Sequence, residues 1–429
     1  MQRSLADQTR RKIAFRILPL VFILYMIAYL DRANVAFGKL PMSTDLGFSD
    51  AVFGFGAGIF FLGYFLLEIP GTLIVEKWSA RRWIARILLT WGLAAIAMGF
   101  IRTSKEFYLV RFFLGAAEAG FFPGIIVYLT HWFSKLDRAR ATAVFMSAAP
   151  LSLTLGAPLS AALLGVEWFG VAGWRWMFIL EGLPAIIAVF FTLRWLIDHP
   201  RDAKWLEPEE REWIESKLNS EKAAKRTIGH FSIAGGLRQP RVWLLALAYF
   251  LLNVGGYGFI FFLPSMIKSA SGLSVVISNL CSSLPFGLAV AASLLVSRSS
   301  DRTGERRLHA CAPMLLAGLL LPLTAVSGQP FAIVMIWLSL TGAMVYSWCP
   351  PFWAIPTLTL GESAAAASIG LINSIGNLGG FVGPSVMGLL LSKGLGYPTA
   401  AAFLGACYLI SAALVFSIRF PASPASADK

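Results

Sequence analysis

Long apolar segments recur along almost the whole of this 429-residue chain, and they constrain its fold more than any other feature. A helix needs about 20 apolar residues to cross a bilayer. With 57% hydrophobic and only 14% charged residues, the chain has too few polar residues to cover a water-soluble fold of this size. We therefore predict an all-α membrane protein with twelve transmembrane helices. The segments fall at about 15–38, 51–75, 83–101, 106–132, 140–165, 174–197, 242–266, 273–297, 308–327, 331–354, 364–391 and 398–419.

Lysine and arginine are divided unequally between the two sets of connecting loops. The set that includes both termini and the long loop after the sixth segment carries most of the 36 Lys and Arg residues. Positive charge accumulates on the cytoplasmic side of membrane proteins, so both termini and the long loop are predicted to be cytoplasmic. The net charge of +13 is then a topology signal, and nucleic-acid binding is not needed to explain it. The opposite set carries Lys39, Arg102, Lys105, Arg175, Lys268 and Lys393.

The long loop divides the twelve segments into two groups of six. It contains apolar residues at roughly helical spacing among glutamates, which predicts an amphipathic helix along the membrane face. A structural connector is preferred over a regulatory element. The predicted domains are a six-helix bundle over 1–198, the linker over 199–240 and a second bundle over 241–429. The apolar positions of the predicted helix are Leu206, Trp213, Ile214 and Leu218.

An internal repeat relates the two halves. The charged pattern of residues 76–82 recurs in residues 301–307 at an offset of about 225 residues, each time between the second and third segments of its half. A Gly-Pro pair in the eleventh segment similarly matches Gly-Ala-Pro in the fifth. Two pseudo-symmetric halves of this kind are typical of transporters that work by alternating access.

Several stretches resemble the major facilitator superfamily. Residues 301–307 are similar to its loop motif, and Gly71 to Arg82 is a weaker copy with Glu76 and Ser79 where Asp and Gly are usual. Within that superfamily the chain resembles the anion:cation symporters, which include bacterial organic-acid and sugar-acid permeases, vesicular glutamate transporters and sialin. The resemblance runs from about residue 13 to 420. It rests on residues 29–37, 63–71, 111–124 and 372–380, and residues 45–49 are most similar to tartrate-type permeases.

The resemblance implies a major facilitator fold of two six-helix bundles. It also implies secondary active import of a small organic anion by proton symport. The anion is expected to be a hydroxy acid or a sugar acid, and a tartrate-like molecule is favoured. The protein is expected to be a multi-pass monomer in the cell inner membrane. An anion exchanger or a facilitative uniporter is the alternative function.

Ionisable residues at membrane depth are the strongest physical indication of a site, since each is costly there. Arg32 offers a planar, bidentate donor to a carboxylate, and the resemblance assigns the first-span arginine to the anionic substrate. Arg111 matches another functional arginine of the vesicular relatives. The alternative is that both arginines only neutralise carboxylates or helix carbonyls. Substrate contact is preferred for Arg32, and both interpretations stay open for Arg111.

Asp31 and Glu118 are the predicted proton-coupling residues. A carboxyl group in a partly dehydrated cavity can exchange a proton when water reaches it, and the resemblance matches these two residues to coupling carboxylates. A permanent internal salt bridge is the alternative. Arg111 and Glu118 share a helix face but are separated by about 10 Å along the axis, so a direct pair is not expected. Glu68 and Glu181 are expected near helix ends in structural pairs.

The second half contributes uncharged polar candidates for a hydroxyl-rich substrate, and core packing or helix–helix hydrogen bonding is equally open for them. The repeated loop motif predicts a gate latch rather than a substrate site. The polar candidates are Tyr257, Asn373, Ser374 and Asn377, with Tyr64 from the second segment. The gate residues are Glu76, Arg81, Asp301, Arg302 and Arg306.

An enzyme is not predicted, because no Ser/His/Asp spacing, metal cluster or phosphate-binding loop is present in the sequence. The four cysteines show no C-x-x-C spacing, so neither a disulfide framework nor a zinc site is indicated. No metal or cofactor is expected. The expected partners are the organic anion, protons and the lipid bilayer. A channel fits buried titratable groups in a two-fold repeat less well than alternating access does.

Overall fold

The computed structural model describes residues 4–227, 239–359 and 362–418, which are helical almost throughout. The first part contains α1 (Leu5–Leu46), α2 (Asp50–Lys77), α3 (Ala80–Ala97), α4 (Ser104–Glu118), α5 (Phe121–Thr130), α6 (Lys135–Leu164), α7 (Gly173–Trp195) and α8 (Pro208–Thr227). The later parts contain α9 (Pro240–Ser271), α10 (Val275–Thr303), α11 (Arg307–Leu323), α12 (Phe331–Ser347), α13 (Cys349–Thr359), α14 (Glu362–Asn377), α15 (Gly379–Ser392) and α16 (Gly396–Phe416).

The apolar helices occupy the twelve positions predicted from hydropathy. Eleven stretches of the described residues are long and apolar enough to cross a membrane, and α11 is a shorter apolar helix of 17 residues. The predicted all-α membrane fold is therefore confirmed. The first helix is longer than expected, at 42 residues, because Ser4 caps its start and Gly47 ends it in the left-handed conformation with φ 66°.

Three of the predicted spans consist of two helices each, namely α4 with α5, α12 with α13, and α14 with α15. The fourth span breaks after Glu118 because Gly120 has φ 85°, a conformation that glycine adopts without steric cost. The backbone there also approaches α2 closely, since a Cβ at residue 120 would lie 3.1 Å from Gly71 Cα. The predicted apolar segment over 106–132 is confirmed as the span Ser104–Thr130, although hydropathy does not indicate the turn within it.

The chain divides into two compact units. The first comprises Met1–Ile228 and Phe261–Ser283, and the second comprises Gly229–Ile260 and Leu284–Lys429. Within the first unit, α1 packs on α6 and α7, α2 on α4, and α3 on α7. Within the second, α11 packs on α12 and α16. The domain boundaries at 198 and 240 stay a prediction.

Helices α2 and α4 touch through their backbones. A Cβ at Gly115 would lie 1.9 Å from Phe60 O, and a Cβ at Gly63 would lie 2.1 Å from Phe112 O. Arg111 precedes Gly115 by four residues and therefore shares its helix face. The close approach places the Arg111 side chain directly against the backbone of α2.

Helix α8 is the amphipathic helix expected in the long loop, and it packs against the first unit. Its apolar residue Ile214 is buried, as are Leu206 and Leu218. Lys12 Nζ, near the start of α1, lies 2.7 Å from Glu210 Oε1. This contact fixes α8 to α1.

Candidate functional site

Asp31 and Arg32 lie in α1 and are both buried, with 1% and 9% of their surfaces exposed. Consecutive helical residues point about 100° apart, so the two side chains face different neighbours. Arg32 contacts α2 and α4, whereas Asp31 contacts α3. Each is the centre of a separate group of polar and aromatic residues within the first unit.

The arginine cluster consists of Arg32, Glu118, Tyr29, Phe60 and Tyr64. Arg32 Nη2 donates to Glu118 Oε1 in an ion pair between two buried side chains. The three aromatic rings each have their centroid 5.3 Å from Arg32 Cζ, where their faces attract the guanidinium. Glu118 Oε2 has no hydrogen-bond partner among the described residues. The structure therefore brings three predicted site residues, Arg32, Glu118 and Tyr64, into one cluster.

Arg111 is fully buried beside this cluster. Its Nη2 donates to Ala57 O at 3.0 Å and its Nε to Gly56 O at 3.4 Å. Its Cζ lies 4.9 Å from the Phe60 ring, which also faces Arg32. The described contacts include no direct ion pair between Arg111 and Glu118, as expected from their separation along α4. Arg111 thus places a second positive charge beside the first without neutralising Glu118 through direct contact.

The acid cluster consists of Asp31, Asn34, Trp91, Ser160 and Glu181. Trp91 Nε1 donates to Asp31 Oδ2 at 2.7 Å, and Asn34 Nδ2 donates to Asp31 Oδ1 at 3.4 Å. Ser160 Oγ donates to Glu181 Oε1 at 2.6 Å. Glu181 Oε2 has no hydrogen-bond partner among the described residues.

The position of Glu181 corrects the expectation that it lies near a helix end. Glu181 is the ninth of the 23 residues of α7 and is 1% exposed. The sequence does not show its hydrogen bond with Ser160, because α6 and α7 meet only in the fold. Asn34, which the sequence analysis did not single out, could have been found only as a polar residue inside an apolar segment. Glu68, the other carboxylate expected at a helix end, is buried in α2.

The polar candidates of the second half lie in the second unit. Tyr257 and Ser374 are buried at 7% and 3% exposure. Asn377 is 8% exposed at the end of α14, and Asn373 is half-buried one turn earlier. Asn253, which the sequence reasoning missed, lies one turn before Tyr257 on α9, and its Nδ2 is buried with no hydrogen-bond partner among the described residues.

The predicted gate residues form local contacts at the ends of α10 and α3. Arg306 Nη1 lies 2.5 Å from Asp301 Oδ1 and 3.0 Å from Ser300 Oγ. In the first half, Asp198 accepts from Ser79 Oγ at 2.6 Å and from the Arg81 backbone N–H at 2.9 Å. Arg302 is exposed. The side chain of Glu76 lies outside the described residues.

Lys39 is a buried charge that the sequence reasoning assigned to a connecting loop. It lies within α1 at 3% exposure, with Nζ 2.6 Å from Asp50 Oδ1 and 4.2 Å from the Phe262 ring centroid. Asn279 Nδ2 donates to Phe37 O at 3.0 Å in the same region. Residues near the end of α9 and the start of α10 are thus held against α1 within the first unit.

Buried, paired charges in a multi-pass bundle of apolar helices are typical of a transporter. Residues 21–384 match the Major Facilitator Superfamily. The solved structure of a bacterial homologue of the human lysosomal transporter Spinster, inward-facing and occupied, superposes with a TM-score of 0.75 at 17% identity. The superposition covers 93% of this chain and 95% of that one, and it supports the fold. The chain belongs to the Major Facilitator Superfamily; it is a secondary transporter and not an enzyme.

Three curated relatives are similar over most of their lengths. A protein of Agrobacterium vitis named "Putative tartrate transporter" is 46% identical over 97% of this chain and 94% of its own. The quinolone resistance transporter of Acinetobacter baumannii is 39% identical over 89% and 88%, respectively. The inner membrane transport protein RhmT of Escherichia coli is 38% identical over 100% and 99%. The resemblance to the superfamily stated from the sequence motifs is confirmed.

Proposed function

We propose that this transporter imports a small, hydroxylated organic anion of the tartrate type together with protons. The observation that carries the proposal is the buried ion pair between Arg32 and Glu118, enclosed by Tyr29, Phe60 and Tyr64. A guanidinium in this setting is the natural partner of a carboxylate. The relative named for tartrate supports a hydroxy acid as the substrate class.

Competition for Arg32 couples the anion to the proton. The Arg32 guanidinium can pair with the Glu118 carboxylate or with a substrate carboxylate. Protonation of Glu118 weakens its hold on Arg32 and frees the guanidinium for the substrate. Loss of that proton restores the internal pair and displaces the anion. Substrate and proton therefore bind together and leave together, which is thermodynamic coupling.

Arg111 supports anion binding as a second positive charge beside the arginine cluster. Its contacts with Gly56 O and Ala57 O hold the guanidinium in a fixed position. The positive charge acts on Glu118 without touching it. Arg111 thus keeps the region favourable for an anion when Glu118 is protonated, and it is proposed as a positioning charge.

The second unit is proposed to recognise the hydroxyl groups of the substrate. Tyr257, Asn373, Ser374 and Asn377 supply donors and acceptors suited to a polyol acid. Asn253 adds a buried amide nitrogen with no partner among the described residues. An unpaired buried donor carries a desolvation cost that a substrate hydroxyl would remove.

The proposed location is the inner membrane, with both termini and α8 on the cytoplasmic side. The charge distribution between the loops supports this orientation, and the relative RhmT is named an inner membrane protein. The loop motif containing Asp301, Arg302 and Arg306 then lies at the cytoplasmic gate. The first-half residues Glu76 and Arg81 complete the proposed latch.

Reconstituted proteoliposomes test the function. Purified protein is first screened by thermal shift against tartrate, aldonates, uronates, aromatic acids and a quinolone. The best ligand is then followed in two assays, exchange against the same unlabelled ligand and uptake driven by an imposed proton gradient. Proton symport requires accumulation that a protonophore abolishes. Exchange without gradient-driven accumulation would assign the chain to the anion exchangers or uniporters instead, and stabilisation by the quinolone alone would reject the organic-acid proposal.

A further inference from the structure

Arg86 is a charged residue inside a membrane-spanning helix, and the described residues supply no countercharge for it. It is the seventh residue of α3 and lies half-buried within the span Ala80–Phe100. No ion pair joins it to a carboxylate of the described residues, and its Nε is buried without a hydrogen-bond partner among them. A guanidinium at this depth is costly unless an anion accompanies it.

A tryptophan ring holds the Arg86 guanidinium in place. Trp83 precedes Arg86 by about one helical turn, and Arg86 Cζ lies 3.9 Å from the centroid of its ring. Trp83 Nε1 lies beside the turn after α4, since a Cβ at Gly120 would be 3.6 Å from it. The ring is therefore fixed by helix packing. Helical side chains lean towards the N-terminus of their helix, so the charged end of Arg86 lies towards the membrane surface at which α3 begins.

The carboxylate that contacts the start of α3 is already engaged. Asp198 accepts from Ser79 Oγ at 2.6 Å and from the Arg81 backbone N–H at 2.9 Å. The Nε of Arg81 is buried without a hydrogen-bond partner among the described residues, as the Nε of Arg86 is. Arg82 between them is exposed. The described side chains at this end of the span therefore carry an excess of positive charge.

The face of α3 that carries Arg86 continues into exposed apolar residues. Leu89 and Leu93 are 42% and 54% exposed, and Trp78, which precedes the helix, is 56% exposed. Positive charge at one end of a helix face and apolar surface along the rest match the headgroup and acyl chains of a phospholipid. A free phosphate ion would use the charged end alone. The residues that share this face, at intervals of three and four, are Arg82, Arg86, Leu89 and Leu93.

We propose that Arg86 and Trp83 form a binding site for an anionic phospholipid, whose phosphate pairs with the guanidinium and whose acyl chains lie along Leu89 and Leu93. Arginine offers phosphate a planar set of donors. Basic residues near the membrane surface attract anionic lipids, and tryptophan is enriched at the same depth. The site is on the exposed face of α3, so it depends neither on the identity of the transported anion nor on proton coupling.

Native mass spectrometry of the purified full chain in detergent tests the site. Phosphatidylglycerol is titrated against phosphatidylcholine with the same acyl chains, which has a phosphate but no net charge. The parent should retain phosphatidylglycerol at concentrations at which phosphatidylcholine is not retained. Arg86→Gln should weaken the retention of phosphatidylglycerol by about tenfold or more, the effect of losing a charge-assisted hydrogen bond.

A second variant and a matched control complete the comparison. Arg86→Lys keeps the positive charge without the planar donors and should bind phosphatidylglycerol with intermediate affinity, so the test does not depend on one variant folding. Arg102→Gln removes an exposed arginine beyond the other end of α3 and should leave retention unchanged. The thermal midpoint of each protein without added lipid shows whether the substitution has altered the fold.

Equal retention of phosphatidylglycerol by the parent and both Arg86 variants would overturn the site. Equal retention of the two lipids by the parent would also overturn it, because the headgroup charge would then be irrelevant. Inorganic phosphate is added as a competitor. Displacement of the lipid by phosphate at equal concentration would show that the site binds a free phosphate ion, and the lipid proposal would be refuted. Transport is measured separately, so failure of symport leaves these outcomes unchanged.

Discussion

At the scale of single residues, Arg32 and Glu118 show what the sequence can and cannot specify. Both are charged residues inside apolar segments, and the cost of burying charge in a membrane makes each a candidate from the sequence alone. Their pairing cannot be predicted in the same way, because they are 86 residues apart and meet only when α1 packs beside α4. Local spacing correctly predicted only what stays on one helix, such as the separation of Arg111 from Glu118.

Arg32→Lys should preserve expression and folding but weaken transport. A lysine retains the positive charge yet offers a point charge in place of the bidentate guanidinium. Losing one charge-assisted hydrogen bond of about 1.5–3 kcal/mol corresponds to roughly 10- to 100-fold weaker substrate binding. Ligand-induced thermal stabilisation measures the change, with Arg102→Lys as the exposed control. Unchanged binding by Arg32→Lys would remove Arg32 from the substrate site.

Glu118→Gln should separate exchange from accumulation. The amide imitates the protonated carboxyl group, so Arg32 stays available and substrate should still bind and exchange. Accumulation under a proton gradient should be lost, because the residue can no longer release a proton. Counterflow and gradient-driven uptake in proteoliposomes measure the two activities. Accumulation at the parental level would assign coupling elsewhere and leave Glu118 as a structural partner of Arg32.

At the scale of helices, hydropathy located the apolar spans but does not indicate the turns within them. Continuous apolar residues predict a membrane helix because the bilayer demands internal backbone hydrogen bonding. The break after Glu118 depends instead on the φ angle of Gly120, which contributes nothing to an apolar average. Lys39 was assigned to a loop because it directly follows the predicted end of the first segment at about residue 38. Its burial within α1 depends on Asp50 and Phe262.

Gly115→Ala tests the close packing of α2 against α4. The added Cβ would lie 1.9 Å from Phe60 O, so the two backbones must move apart. Arg111 would then lose its contacts with Gly56 O and Ala57 O. We expect a lower thermal midpoint together with weaker ligand binding, both measured by thermal shift. Gly370→Ala adds the same methyl group where nothing lies within 4 Å and should change neither quantity; equal behaviour of the two variants would refute the packing argument.

The attachment of α8 should depend on pH through Glu210. Burial raises the pKa of this carboxyl, but the hydrogen bond from Lys12, the Glu207 backbone N–H and the Lys12 charge together hold the pKa below its ordinary value. A lowered pKa contributes stability that is present above the ordinary value and is lost as pH falls through the folded value. Glu210→Gln should therefore lower the thermal midpoint at neutral pH and lose its effect below about pH 4.

Glu209→Gln is the matched control for this pH dependence, because Glu209 is the exposed neighbour of the buried Glu210. It should leave the midpoint unchanged at every pH. A constant difference between Glu210→Gln and the parent across the whole pH range would show that the carboxylate charge does not hold α8 in place.

At the scale of the whole molecule, the repeat visible in the sequence has different partners in the two halves. In the second half Asp301 pairs with Arg306 inside its own loop. In the first half the carboxylate that serves the loop is Asp198, which follows α7 and caps the start of α3. The repeat predicted that both loops carry a charged motif. The role of Asp198 at the first-half loop could not be predicted from the repeat. It depends on how the residues that follow α7 pack beside the start of α3.

Asp301→Asn should change the balance of access states while leaving substrate affinity nearly unaltered. The substitution removes the charge that holds Arg306 and lies in a loop motif far along the chain from the arginine cluster. Single cysteines introduced in loops on the two membrane faces and labelled with impermeant reagents measure the balance. Ser299→Ala, two residues away, is the control. Lost ligand binding with an unchanged labelling pattern would contradict the latch assignment.

Glu118 is the final residue of α4, and this position affects how well a negative charge on its carboxyl group is tolerated. Backbone carbonyls give the C-terminal end of a helix a partial negative potential, which disfavours an anion there. Glu118 therefore lies at the end of its helix that least tolerates a carboxylate, and the opposing field is offset by Arg32. Under the proposed mechanism, a substrate that draws Arg32 away would leave the peptide dipoles of α4 unopposed and so favour a proton on Glu118. In the proposed symport, the turn at Gly120 thus lets the helix backbone contribute to the coupling of anion and proton.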